Sequence, residues 1–203
     1  MDTGWNIPPG VLHAPGSLCT YEPQAASDVF AMYQSILHGG HCVPEELLWR
    51  DSPVEELGNI DYLIEVLDWE LNVDPDFYSK SFMEPISAKP AGENEGCIEE
   101  WICYKHPEVS AKRVTIFPEQ TTVIRDNAAY GIICLQGFGK FGVHNLETPT
   151  LIKYGQITYD EYFVTEQAAK EGITVTNLSL HENIVFLQHF ADNPDLKSGV
   201  HNA

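Results

Sequence analysis

Short strand-like segments follow one another along residues 97 to 191, and their spacing is the strongest constraint on the fold. Turns rich in Gly, Pro, Asn and Asp separate them about every ten residues, a spacing that predicts an all-β sandwich or barrel. A tight turn is predicted at 136–139, Gln-Gly-Phe-Gly. The predicted strands are Ile98–Tyr104, Arg113–Phe117, Thr121–Ile124, Tyr130–Leu135, Lys140–Val143, Thr150–Tyr154, Glu161–Val164, Ile173–Thr176 and Ile184–Phe190.

Size and charge restrict the classes of function. The chain has 203 residues, 43% of them hydrophobic, which is enough for one good core or for one domain and a partial second. It carries 11 Lys and Arg against 30 Asp and Glu, for a net charge of −19. Because such a surface repels phosphate backbones, nucleic-acid binding is not expected.

Targeting signals and cysteines indicate the compartment. No stretch approaches the roughly 18 apolar residues of a membrane span, and the N-terminus lacks the basic and apolar regions of a signal peptide. The five cysteines are scattered and never form a Cys-x-x-Cys pair. Free thiols in a reducing compartment are therefore predicted, and with them a cytoplasmic location without membrane association.

A rigid run near the N-terminus ends in a histidine. Two prolines at 8 and 9 fix φ, and Gly10 supplies the freedom to turn. Residues 11–12 then begin a predicted strand that carries His13. Further strands are predicted at Leu18–Glu22 and Val29–Tyr33, followed by a turn at 38–41.

The middle of the chain predicts a helix followed by a linker. Ser-Pro-Val-Glu at 52–55 resembles a capping box with proline at the first helical position, which starts a helix over residues 51–72. Residues 81–96 are rich in Pro, Gly, Ala and Glu, and we predict a linker there. One apolar face is predicted for the helix, formed by Ile60, Leu63, Ile64, Leu67 and Leu71.

Two regions of the chain resemble the cupin superfamily. Pro8, Gly10 and His13 match the Pro-x-Gly-x-x-His core of its second signature. Residues 130–139 resemble the cupin strand that ends in Gly-x-Gly, and residues 151–155 with 160–164 resemble the next strand pair. The resemblance implies a mainly β fold, a cupin-type jelly-roll barrel with a helical insertion.

The resemblance also implies a domain organisation. The chain resembles the back part of one barrel followed by a complete second one, as in two-barrel cupins. Either it is a fragment of such a protein, or residues 1–33 complete a sheet in the second barrel or in a partner chain, so a homodimer is expected. The predicted segments are partial cupin-like strands at 1–50, a helical insertion at 51–80, a linker at 81–96, the barrel at 97–191 and a tail at 192–203.

This chain departs from the cupin pattern most clearly at the metal ligands. Cupins usually carry His-x-His and a Glu in the first signature and a His in the second. The corresponding segments of the C-terminal barrel, around 124–127 and 172–175, hold no histidine. The resemblance therefore implies a degenerate metal site, with either no cofactor or one divalent metal at His13.

Candidate site residues come from both regions. His13 is either a metal ligand or a residue that makes a structural hydrogen bond, and Glu22 reaches the same cavity if residues 18–22 form the next strand. Six polar residues lie where cupin cavities collect polar groups: Arg125, Asp126, Tyr130, Asp160, Glu161 and Tyr162. Of these, Arg125, Tyr130 and Tyr162 are the candidates for hydrogen bonding to a sugar or small acid.

Two further patterns are weighed and set aside. Asp160 and Glu161 are neighbours on a strand, so they point to opposite faces and cannot act as a carboxylate pair. Alternation in the last strand puts Phe186, Gln188 and Phe190 on one face and His189 on the other. His189 is then a cavity residue or, the favoured interpretation, a surface residue.

Two functions remain open. The first is a small-molecule binding or dimerising barrel that has lost its metal, which the degenerate signatures favour. The second is a metal-dependent enzyme of the sugar isomerase or dioxygenase type that uses His13. Neither substrate nor reaction follows from the sequence.

Overall fold

The computed structural model describes residues 4–14, 16, 18–25, 29–89, 96–151, 153–191 and 194. Its contacts divide the chain into two compact units. We call Met1–Asn6 together with Ser81–Ala203 the sheet unit, and Ile7–Lys80 the N-terminal unit. None of the helices in the described ranges is long and apolar enough to cross a membrane.

The described residues of the sheet unit form antiparallel strands and include a helix, α4. A two-stranded sheet pairs β1 with β2, and a larger sheet has the order β3-β4-β5-β11-β7-β10-β6, with β8 and β9 also paired to β7. Helix α4 is Glu166–Glu171, capped by the Thr165 side chain. Strands β1 to β11 are Gly4–Trp5, Phe82–Met83, Ile86–Ser87, Cys97–Cys103, Ser110–Ile116, Thr121–Ile124, Tyr130–Phe141, His144–Thr148, Glu161–Val164, Ile173–Asn177 and Ile184–Phe190.

Strand β7 makes the larger sheet curl. Its first half pairs with β11 and β9, and its second half pairs with β10 and β8. One continuous strand thus belongs to both sides of a half-barrel. The predicted fold class, a mainly β jelly-roll barrel accompanied by a helical segment, is confirmed.

The core lies on the concave side of the curled sheet. It is built from residues of every strand from β4 to β11, with Ala169 of α4 packed among them. In β11, Phe186, Gln188 and Phe190 are buried there, so the predicted alternation is correct. His189 faces the other side and is only half-buried, as the favoured interpretation required.

The turn predicted at 136–139 is wrong, because these residues lie inside β7. The two glycines, Gly137 and Gly139, allow the backbone of neighbouring segments to come close to β7. A Cβ on Gly139 would lie 2.0 Å from the carbonyl oxygen of Thr176, and one on Gly137 would lie 2.5 Å from that of Asn183. Gly137 also has a φ of +89°, which disfavours any other residue.

Other strand and helix boundaries differ from the prediction as well. No strand occupies the described residues of Thr150–Tyr154, of which Ile152 lies outside the described ranges, and β8 comes earlier instead. Helix α4 was not predicted. The segment predicted as a linker contains β2 and β3, and Met83 is buried, while residues 90–95 lie outside the described ranges. The predicted tail lies outside them too, except for residue 194.

The N-terminal unit has little regular structure. The strands predicted at Leu18–Glu22 and Val29–Tyr33 are absent from their described residues. The Met32 N–H donates to the Leu47 carbonyl oxygen, but no strand forms there. The turn predicted at 38–41 is confirmed, since a 3₁₀ helix at His38–Gly40 is closed by a bridge between Ile36 and Cys42. Two more 3₁₀ helices follow, at Glu45–Leu47 and Val54–Glu56.

The helix predicted over 51–72 is broken into short pieces. After the 3₁₀ helix at 54–56, whose cap makes no side-chain hydrogen bond, come α1, Ile60–Glu65, and α2, Trp69–Asn72. The side chains of Asn59 and Asp68 cap α1 and α2. Of the predicted apolar face, Leu63 is buried but Ile60 and Ile64 are exposed. Helix α3, Phe77–Ser81, follows.

Candidate functional site

The two site residues predicted in the N-terminal unit lie at its surface. His13 is exposed, and its Nδ1 lies 2.9 Å from the carbonyl oxygen of Val11, a local structural contact. Glu22 is also exposed and accepts a hydrogen bond of 2.7 Å from the hydroxyl of Thr20. No strand holds residues 18–22, so the condition under which Glu22 would share a cavity with His13 is not met.

The interior of the half-barrel holds a group of charged residues. Lys112 forms an ion pair with Asp126, and its Nζ lies 3.8 Å from Glu99 Oε2. Glu99 is in turn paired with Lys89. The side chains of Lys112, Asp126 and Glu99 are each 5% exposed or less, whereas that of Lys89 is 24% exposed. Lys89 is therefore the solvent end of the network.

Two neutral side chains extend this group. Gln188 Nε2 donates a hydrogen bond of 2.6 Å to Asp126 Oδ2. The second is Tyr130, which is 1% exposed and lies near enough to Asp126 and Glu99 for their negative charges to raise its pKa. Among the described residues, neither the Tyr130 hydroxyl nor Gln188 Oε1 has a hydrogen-bond partner. We call Lys89, Glu99, Lys112, Asp126, Tyr130 and Gln188 the interior polar cluster.

The register of three strands brings the cluster together. Lys112 at the middle of β5 lies directly opposite Trp101 of β4 and Gln188 of β11. The Lys112 ammonium stands 4.7 Å from the Trp101 ring centroid and 5.5 Å from that of Phe190, so two aromatic faces share its charge. Asp126 follows the end of β6, and its backbone N–H donates to the Ala169 carbonyl of α4.

Burial governs the titration of the cluster. Burial raises the pKa of Asp126 above its ordinary value, against the opposing effects of Lys112 and Gln188. Burial, followed by the charges of Asp126 and Glu99, raises the pKa of Tyr130, which therefore stays a neutral phenol. Burial opposes the charge of Lys89, but its hydrogen bond to Glu99 and the charge of that carboxylate together raise its pKa.

The three site residues predicted in the sheet unit do not form one group. Tyr130 belongs to the interior polar cluster, whereas Arg125 is exposed and its side chain lies over Gly172. Tyr162 is half-buried and stacks on Phe141 and His144, with ring centroids 5.4 and 5.6 Å away. The Tyr162 hydroxyl donates to the carbonyl oxygen of Asn145.

Tyr162 and His189 line a shallow depression on the sheet. Strands β7, β9 and β11 form it, and Glu161 and Phe163 border it. Burial lowers the pKa of His189, an effect that the charge of Glu161 opposes. The depression is open to solvent, so a ligand bound there would stay more hydrated than one bound at the interior polar cluster.

The interior polar cluster does not fit a divalent metal. Its carboxylates are the ligand type that such ions use, but the ammonium of Lys112 lies against Asp126 and within reach of Glu99. A second cation there would meet a fixed positive charge in a dry interior. Within the described ranges, no three His, Cys, Asp or Glu side chains converge so as to hold a metal ion.

Four of the six cluster residues, Lys89, Glu99, Lys112 and Gln188, were not among the predicted cavity residues, although one signal exists. Lys112 shares a face of β5 with Val114 and Ile116, and Glu99 shares one of β4 with Cys97 and Trp101. A lysine and a glutamate at inward positions of neighbouring strands indicate a buried ion pair. Lys89 carries no such signal, because it follows the two-residue strand β3.

Comparisons with known proteins identify relatives by structure alone. No protein-family profile matches the chain. No curated protein matches it either. Several solved structures are similar, at 12 to 20% identity and over about half of this chain.

One similar structure is Rhodobacter sphaeroides SigE in complex with the anti-sigma ChrR, at 12% identity and a TM-score of 0.36. The match covers 50% of this chain and 46% of the other, so this chain spans about half of its length. A cupin-2 domain protein from Rhodospirillum rubrum matches at 13% identity with a TM-score of 0.35, over 52% of this chain and 67% of the other.

Oxalate decarboxylase from Bacillus subtilis matches at 20% identity and a TM-score of 0.35, over 54% of this chain and 28% of the enzyme. Cupins are thus among the solved structures that this chain resembles.

Proposed function

We propose that the sheet unit binds a small polar molecule, a sugar or a small acid, at the interior polar cluster and without a resident metal. One observation carries the proposal: the Tyr130 hydroxyl and Gln188 Oε1 are both buried, and neither has a partner among the described residues. Both belong to the same network around Asp126.

Unpartnered buried polar groups are costly, which is why they support a binding role. A buried donor or acceptor without a hydrogen bond costs about 1–3 kcal/mol. Native proteins leave few of them, and two in one network call for an explanation. A ligand that supplies the missing partners would recover that free energy on binding.

The cluster also has the composition of a ligand site. Aromatic rings of Trp101 and Phe190 border it, and charged side chains hold the polar groups in place. Small-molecule sites commonly combine an apolar wall with a few convergent polar groups. The partly exposed Lys89 marks the side from which a ligand would enter.

The proposal is tested by ligand-observed NMR on the whole chain with a panel of neutral sugars and small carboxylic acids. We expect saturable binding of at least one compound, and about tenfold weaker binding in Tyr130→Phe. Tyr104→Phe is the matched control, because the Tyr104 hydroxyl lies outside the cluster and donates to Glu84. Binding that survives Tyr130→Phe unchanged would reject the cluster as the site.

Metal content separates this proposal from the enzyme that uses His13. We expect well under one equivalent of Mn, Fe, Ni, Cu or Zn in the purified protein, and no change in metal content on His13→Ala. A stoichiometric metal that is lost in His13→Ala would favour the metal-dependent enzyme instead. A homodimer stays a prediction, which gel filtration at low micromolar concentration tests.

A further inference from the structure

We infer that the interior polar cluster selects a neutral polyhydroxy compound, a sugar or polyol, over a carboxylic acid. The inference rests on the proposed function and narrows its ligand class. Two independent properties of the cluster point the same way: its charge is already balanced, and its unpartnered groups require a ligand that donates a hydrogen bond.

Charge balance comes from two ion pairs. Lys112 is paired with Asp126 and Lys89 with Glu99, so the formal charges of the cluster sum to zero. The Lys112 ammonium also faces two aromatic rings, which leaves little of its charge for a ligand. A carboxylate entering this site would lose its hydration without gaining an unpaired cation.

The charge of the whole chain acts in the same direction. At a net charge of −19, long-range attraction does not draw anions toward the site. A neutral ligand does not depend on such attraction to reach the site.

Hydrogen-bond geometry adds the second requirement. Because Gln188 Nε2 donates to Asp126, the amide is held with Oε1 turned away from that carboxylate. Oε1 is thus a fixed acceptor that needs a donor. An ionised carboxylate has no proton to donate, whereas a hydroxyl group both donates and accepts.

The Tyr130 hydroxyl suits the same kind of ligand. It stays protonated at neutral pH, because burial and the nearby carboxylates raise its pKa. It donates to a ligand oxygen or accepts from a ligand hydroxyl. Several hydroxyl groups on one small molecule would satisfy Tyr130 and Gln188 together, which describes a sugar or polyol.

Matched pairs of compounds test the inference by titration calorimetry. D-Glucose is compared with D-glucuronate, and sorbitol with gluconate, because the members of each pair differ chiefly by a carboxylate. We expect the neutral member to bind about tenfold more tightly or better, a difference of about 1.4 kcal/mol. Equal or tighter binding of the acids would overturn the inference and leave the proposed function standing.

Substitutions in the cluster test whether its residues cause this selectivity. Tyr130→Phe and Gln188→Met should each weaken binding of the neutral compound about tenfold, while Tyr104→Phe should leave it unchanged. Urea unfolding shows whether each variant is folded. Failure of all four compounds to bind the folded wild-type chain would overturn the inference, and the panel of sugars and small acids described above then decides the proposed function.

Discussion

Gln188 Nε2 donates a hydrogen bond of 2.6 Å to Asp126 Oδ2 inside the half-barrel, and Lys112 is ion-paired to the other oxygen of the same carboxylate. Asp126 is therefore the centre of the interior polar cluster. Through its contacts with Lys112 of β5 and Gln188 of β11, this one side chain links both strands to the segment that follows β6.

Asp126→Asn should strongly destabilise the sheet unit. The substitution keeps the shape of the side chain but leaves the buried ammonium of Lys112 with only the more distant Glu99. Loss of one partner of a buried ion pair costs about 3–5 kcal/mol, which urea unfolding measures. Glu166→Gln is the control, since its pair with Lys170 is exposed on α4, and no measurable change is expected there.

Tyr130→Phe should leave the ligand-free protein as stable as before or raise its free energy of unfolding by up to about 1 kcal/mol. The variant removes a buried hydroxyl that has no partner among the described residues. Tyr104→Phe should instead lower stability by about 0.5–1.5 kcal/mol, because its hydroxyl donates a 2.9 Å hydrogen bond to Glu84. A large loss in Tyr130→Phe would show that the hydroxyl is satisfied within the protein.

Gly139→Ala should destabilise the sheet unit by about 1–3 kcal/mol or more, because the new Cβ would lie 2.0 Å from the Thr176 backbone oxygen. The clash pushes apart β7 and β10, which pair at this position. Thermal unfolding measures the effect. Gln136→Ala, at an exposed position of the same strand, should change little.

Stability should fall as the pH drops below about 6.5, in part because of His189. Burial lowers the pKa of His189 in the folded protein, so the unfolded chain takes up a proton first as the pH falls. The stability present above the ordinary pKa of 6.5 is therefore lost as the pH falls toward the folded value. Unfolding at several pH values should show a shallower fall in His189→Gln than in the control His181→Gln, which changes an exposed residue.

The thiols should react in two classes with Ellman's reagent. Cys19 and Cys42 are exposed and should react quickly in the native protein. Burial raises the pKa of the half-buried Cys103 and raises that of Cys134 to about 11, and Cys97 is buried as well, so these three should react only on unfolding. Replacing Cys19 and Cys42 by serine should abolish the fast phase; a fast phase that persists would place another thiol at the surface.

The sequence predicts the fold class well because each strand carries its own local signal. Alternation in β11 separates Phe186, Gln188 and Phe190 from His189, and the structure has the same division. The same reasoning fails where local residues serve distant contacts. Gly137 and Gly139 look like a turn, yet they permit close backbone approach within one long strand.

The N-terminal unit shows the opposite limit. Local periodicity predicts strands at 18–22 and 29–33 and one long helix. In the described residues, no strand pairs with the first two segments, and the helix is broken into short pieces. A strand exists only with a neighbour, and the apolar face of a short helix is buried only if something packs on it. His13 lies in this unit as an exposed residue, so its predicted metal role still depends on an experiment.

The sequence by itself determined that residues 97–191 form a mainly β barrel, because alternation and turn spacing are local properties of the chain. It also placed Tyr130 among the candidate ligand residues. Only the tertiary structure decided that Asp126 and Glu99 lie near that tyrosine and that Lys112 and Gln188 contact Asp126. The physical reason is that strand register, which sets Lys112 opposite both Trp101 and Gln188, arises from pairing between segments far apart in the chain.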